Sequence, residues 1–150
     1  MRGTTRNRDI VQVLALIVGA TFLVVGILGF IPGITSNLYG GLDFAGHDSN
    51  AKLLHLFQVS WLHNLVHIGY GIAGLLLART WETARAYLIG GGIVYLVLWL
   101  YGLIVSQSSG ANFVPVNTAD NWLHFVLGLG MITLGFVTTR DRRTAASAAT

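Results

Sequence analysis

The chain has 150 residues, a formal net charge of +3, only 10% charged residues and no cysteine, and its mean hydropathy is +0.65. So short and apolar a chain reads as a single domain, and without cysteine it has no disulfide, thiolate ligand or thiol nucleophile. No basic stretch is interleaved with aromatics on a soluble segment, so nucleic acid is not expected as a partner.

Met1 to Asp9 is a polar, basic lead that reads as mobile. Four stretches then carry long apolar runs, and spans are expected at about 10–31, 53–78, 86–105 and 121–139. A bilayer core about 30 Å thick takes about 20 helical residues to cross. The first run is too long for a signal peptide and lacks a small-x-small site after it. Phe30-Ile31-Pro32-Gly33 reads as its helix end. A Gly-rich link with Gly40, Gly41 and Gly46 leads to the second span. Arg79 to Arg85 forms a tight turn to the third span, which makes spans two and three antiparallel neighbours. A second link, Ser106 to Ala119, ends in Thr118-Ala119-Asp120, which has the look of an N-cap region. The tail from residue 140 to Thr150 is small and polar and reads as disordered.

Eight of the nine basic residues fall on one side of these spans: Arg2, Arg6, Arg8, Arg79, Arg85, Arg140, Arg142 and Arg143. Only Lys52 lies in the other links. The positive-inside rule therefore puts both termini in the cytoplasm and the links at about 32–55 and 106–120 outside. Clustered Arg suits anionic head groups, so the lipid bilayer is the first expected partner. All five histidines lie in the opposite half from the arginines.

An internal repeat is one reading of the pattern. Spans two and four both contain Asn-x-x-His-x-x-x-Gly: Asn64, His67, Gly71 and Asn121, His124, Gly128. Spans one and three share a Gly pair ten apart: Gly19 with Gly29, Gly92 with Gly102. Two hairpins in one orientation would be related by an axis along the membrane normal. Depth gives another pairing. Counted back from Arg79 and Arg140, His124 matches His63; counted by motif, it matches His67.

Ser60, His63, Asn64, His67 and Gly71 recur at three- and four-residue spacing, so they share one helix face. In hydrocarbon that face must turn inward. Asn121, His124 and Gly128 do the same on span four, so the two spans face each other or a common cavity. Two readings of this polar face compete. In the structural one, Asn and His hydrogen-bond between helices while Gly allows close approach. In the ligand one, His63, His67 and His124 bind a divalent metal such as zinc or copper. Alternatively, one histidine from each span is axial to a b-type haem or other tetrapyrrole, with Asn64 and Asn121 beside it and the glycines making room. The structural reading accounts well for the asparagines and glycines and less well for the three histidines, because ionisable residues inside spans are usually functional. Asp43, His47, Asp48, His55 and Asp120 could converge above the spans, but Asp in links is commonly a turn or cap residue. No nucleophile elbow, phosphate loop or His-Glu-x-x-His occurs, and no acid completes a triad with Ser60 and His63.

Three segments together carry a family resemblance: Phe22 to Gly33, ending Phe-Ile-Pro-Gly; Leu56 to His67, with Leu-His-Asn-Leu-Val-His; and Ala111 to His124, with Asn-Thr-Ala-Asp-Asn-Trp-Leu-His. The chain resembles a bacterial four-span membrane protein family of unknown function, from about Asp9 to Arg140. Relatives often have Asn where this chain has Ser60. The resemblance implies a four-helix membrane fold in the bacterial inner membrane and supplies no activity, substrate or cofactor.

The expected fold is therefore all-α: an integral membrane four-helix bundle with both termini inside. The expected role is non-enzymatic, as a structural or accessory subunit of a homo-oligomer or larger membrane complex, with a His/Asn-lined pocket in the outer half. The alternative is a small haem- or metal-binding redox protein.

Overall fold

The computed structural model describes residues 8–147, with side chains up to residue 138. Arg2 and Arg6, the side chains of Arg140, Arg142 and Arg143, and the last three residues lie outside the described residues. The chain is mostly helical. In order it forms α1 (Ile10–Leu28), β1 (Thr35–Ser36), α2 (Leu38–Gly41), β2 (Lys52–Leu53), β3 (Phe57–Gln58), α3 (Trp61–Leu77), α4 (Trp81–Ile104) and α5 (Thr118–Ser147). Three segments are long and apolar enough to cross a membrane: α1, α4 and the Thr118–Thr138 part of α5. The apolar helix α3 has 17 residues, about 26 Å at 1.5 Å per residue.

The boundaries differ from those expected in four places. The segment at 53–60 is not the start of span two: Lys52 and Leu53 pair antiparallel with Gln58 and Phe57, and Thr35 and Ser36 complete a three-stranded sheet. Helix α3 starts only at Trp61, where the Ser60 hydroxyl accepts the His63 N–H at 3.1 Å. The turn expected at 79–85 is mostly helix. Thr80 caps α4 through the Thr83 N–H, so only Ala78 to Thr80 separate the helices. The cap of α5 is Asn117 rather than Thr118 to Asp120: its Oδ1 accepts the Asp120 N–H, and Asp120 Oδ2 accepts the Asn117 N–H, both at 3.0 Å. This is a reciprocal capping box. Finally, α5 continues to Ser147 through a tail expected to be disordered; its Arg and Ala residues are good helix formers.

Helix α1 packs along α3, and α4 along α5, with α1 and α4 meeting between the pairs. Close packing comes from small residues. A Cβ on Gly19 would lie 2.9 Å from the Leu75 nitrogen and 3.0 Å from the Gly71 oxygen. One on Gly92 would lie 3.0 Å from the Ile132 nitrogen and 2.7 Å from the Gly128 oxygen. The backbones touch, which side chains larger than Gly would prevent. Between the pairs, Phe22 stacks on Tyr95, with ring centres 5.2 Å apart at 17°. Val11, Ala15, Ala84, Leu88 and Met131 extend this core. A smaller core of Ala51, Leu53 and Val59 sits under the sheet, against Val25, Leu28 and Ile34.

Candidate functional site

The N-terminal turns of α3 and α5 carry the site. The buried face of α3 holds His63, Asn64, His67, Gly71 and Gly74, as three- and four-residue spacing requires. On α5, Asp120, Asn121 and His124 are buried. His63, His67, His124, Asn64 and Asp120 line one cavity of about 100 Å³ together with apolar side chains that include Leu53, Leu54, Phe57 and Leu127. The two helices thus face a common space, and the three expected histidines share it.

Within it, His63 Nε2 and His67 Nε2 are 3.1 Å apart, so one imidazole donates to the other. The ring centres of His63 and His124 are 6.4 Å apart. His67 meets the edge of Phe22 at 5.4 Å, and His124 lies 5.2 Å from Tyr95. Nδ1 of His63, of His67 and of His124 has no hydrogen-bond partner. Such orphaned buried groups are uncommon.

The asparagines and glycines are engaged in packing. The place a Cβ would take on Gly29 is occupied by the Asn64 amide, and the one on Gly102 by the Asn121 amide. Gly71 is covered by the Leu23 backbone at 2.5 Å and Gly128 by the Leu96 side chain at 2.8 Å from a built Cβ. Neither glycine leaves space beside a histidine. The cavity of about 100 Å³ is also below the several hundred Å³ usual for ligand pockets of drug size. Among the described residues, no group of three or more His, Asp or Glu is arranged to hold a metal ion.

The outer acidic and histidine residues do not converge. Asp43, Asp48 and His55 are exposed, and His47 reaches only Asp48, at 3.4 Å. Asp120 alone joins the histidines. Its Oδ2 accepts N–H groups from Asn117 and Gln58, each at 3.0 Å. Sequence reasoning grouped Asp120 with the links, yet it holds the third position of a capped helix, as His63 does. Gln12, the main polar residue of α1, lies far from this site: its Nε2 donates to the carbonyls of Ala78 at 3.1 Å and Arg79 at 2.8 Å. The contribution of Phe22, Tyr95 and the β2–β3 hairpin carried no signal in the polar pattern.

Residues 12–137 match the model of a family described as a domain of unknown function, DUF4383. No curated protein and no solved structure matches the chain.

Proposed function

The chain belongs to the DUF4383 family, and on its own residues we propose that it is a four-span, non-enzymatic membrane protein, a structural or accessory subunit of a homo-oligomer or larger complex. One observation carries this reading: the two asparagines of the candidate site pack on glycines of the neighbouring helices, while apolar side chains point outward. Asn64 and Asn121 fill the faces of Gly29 and Gly102. Outward stand Ile17 and Val24 of α1, Leu65 and Ile72 of α3, Val97 and Leu103 of α4, and Val126 and Phe136 of α5. Such all-round apolar exposure suits lipid or a partner helix.

Helix α3 is the fourth span in this reading. It is about 26 Å long, and Leu53, Leu54, Phe57 and Val59 line the cavity at its outer end. Both termini are cytoplasmic, because Arg79 and Arg85 flank the inner turn and only Lys52 marks the outer links. The membrane is the bacterial inner membrane, the location that the family resemblance implies.

The two helix pairs are repeats in this proposal. The supporting contacts recur in both: Gly19 on Gly71 and Gly92 on Gly128, Gly29 on Asn64 and Gly102 on Asn121, Phe22 at His67 and Tyr95 at His124. They favour pairing His124 with His67, and they pair His63 with Asp120.

A second reading, a metal or tetrapyrrole held by His63, His67 or His124, has one observation in its favour: the three unpartnered Nδ1 atoms. An absorption spectrum with elemental analysis of protein purified in mild detergent separates the two. A colourless, metal-free, folded protein is expected. A stoichiometric Soret band or metal content, lost in His67→Gln or His124→Gln, would overturn the structural role. Topology is tested separately, since the cysteine-free chain accepts single reporters. Ser108→Cys is expected to react with an impermeant maleimide from outside, and Thr150→Cys only after the membrane is opened; the reverse pattern would sink the orientation.

A further inference from the structure

We propose that the β2–β3 hairpin is a hinged cover over the histidine cavity and that Asp120 is its latch. The cover is the segment Leu53 to Phe57, whose ends are paired in the sheet. Leu53, Leu54 and Phe57 wall the same cavity as His63, His67 and His124. At the tip, Leu54 and His55 have φ of 52° and 62°, a left-handed conformation uncommon for residues other than Gly and more so for Leu than for His. Leu54 is also 61% exposed and Leu56 52% exposed, so little packs on the outside of the hairpin.

The two sides of the hairpin are held differently. Towards α1 it is held by the sheet and a small core: β2 pairs with β1, the Leu54 N–H donates to the Ile34 carbonyl at 2.9 Å, the Ser36 hydroxyl donates to the Lys52 carbonyl at 3.2 Å, and Leu53 is buried against Val25, Leu28 and Ile34. This side serves as the hinge. Towards α5 the hydrogen bonds all pass through two side chains. Asp120 Oδ2 accepts the Gln58 N–H at 3.0 Å, and Asn117 Nδ2 donates to the Leu56 carbonyl at 2.8 Å. The Asp120 oxygen is already used by the Asn117 N–H, so releasing Gln58 leaves the carboxylate its cap partner. The latch can open without unravelling the start of α5.

Opening exposes a cavity of about 100 Å³, a size for water and solutes of a few heavy atoms. The groups uncovered are imidazoles with unpartnered nitrogens. His63 is buried and shares this cavity with Leu53, Leu54 and Phe57 of the hairpin, whereas His55 is exposed at the hairpin tip.

The test uses the full chain in nanodiscs, read by hydrogen exchange and by diethyl pyrocarbonate modification of each histidine. Asp120→Ala is expected to speed exchange in residues 53–60 by on the order of ten- to a hundred-fold. It should raise modification of His63 and His124 while leaving α1 exchange and His55 modification unchanged. Asn117→Ser keeps a capping hydroxyl and loses the bond to Leu56, so a smaller change of the same kind is expected. Unchanged exchange and modification in folded Asp120→Ala would overturn the proposal, as would faster exchange throughout α1 and α4. Should Asp120→Ala fail to fold, Asn117→Ser decides alone, and no change in it counts against the latch.

Discussion

The α1–α3 pair and the α4–α5 pair solve one packing problem twice, but not with the same materials. In both, a glycine of the first helix lies on the backbone of the second near its middle, and another receives an asparagine amide near its end. They part at the third residue of the second helix. In α3 this is His63, which turns to its neighbour His67; in α5 it is Asp120, which caps its own helix and reaches across to Gln58. Shared positions hold the helices together, and the pair that differs, His63 and Asp120, lines the cavity beside the matched His67 and His124. The difference separates residues that serve the membrane fold from residues open to another use.

Substitutions at matched positions test how equal the halves are. The largest effect is expected at the stacked rings: Phe22→Ala and Tyr95→Ala should each cost about 3 kcal/mol in detergent unfolding, and a gap of more than about 1 kcal/mol between them would break the equivalence. Next come the glycines. Gly71→Ala puts a methyl 2.5 Å from the Leu23 backbone, which cannot yield, while Gly128→Ala meets chiefly a movable Leu96 side chain at 2.8 Å, with the Gly92 carbonyl at 3.0 Å. We expect about 2–3 kcal/mol for the first and about 1 kcal/mol for the second, read from melting temperatures. The caps follow. Ser60→Ala should cost about 1 kcal/mol, and Asn117→Ala somewhat more, because it also loses the bond to Leu56; equal losses would argue that this bond contributes nothing. Smallest of all, His67→Gln and His124→Gln should each change stability by under about 1 kcal/mol. A larger loss at either would mark that imidazole as more than a packing residue.

The helical character of the chain was legible because apolar runs without charge are a strong signal, and the shared cavity was legible because His63, His67 and His124 fall on inward faces at helical spacing. The hairpin was not. Leu53-Leu54-His55-Leu56-Phe57 has no Gly, Pro, Asn or Asp, the residues that normally mark a turn, so it read as more of the following helix. Its left-handed tip depends on contacts with distant segments, the Ile34 carbonyl and the start of α5. The glycines beside His67 and His124 were equally ambiguous: a missing side chain looks the same whether a cofactor or a helix fills the space. Here Leu23 and Leu96 fill it. Asp120 was misplaced for a simpler reason, since an Asp just before an apolar run usually acts only as a cap.

The Gln12 side chain has a kinetic consequence. It ties the first turn of α1 to the carbonyls of Ala78 and Arg79, 66 and 67 residues later. During synthesis α1 is made long before those carbonyls exist, so its amide waits until α3 has returned to the same side of the protein. The start of α1 is therefore fixed only once α3 is complete, and closure of this loop marks the moment at which the first helix pair becomes a finished unit.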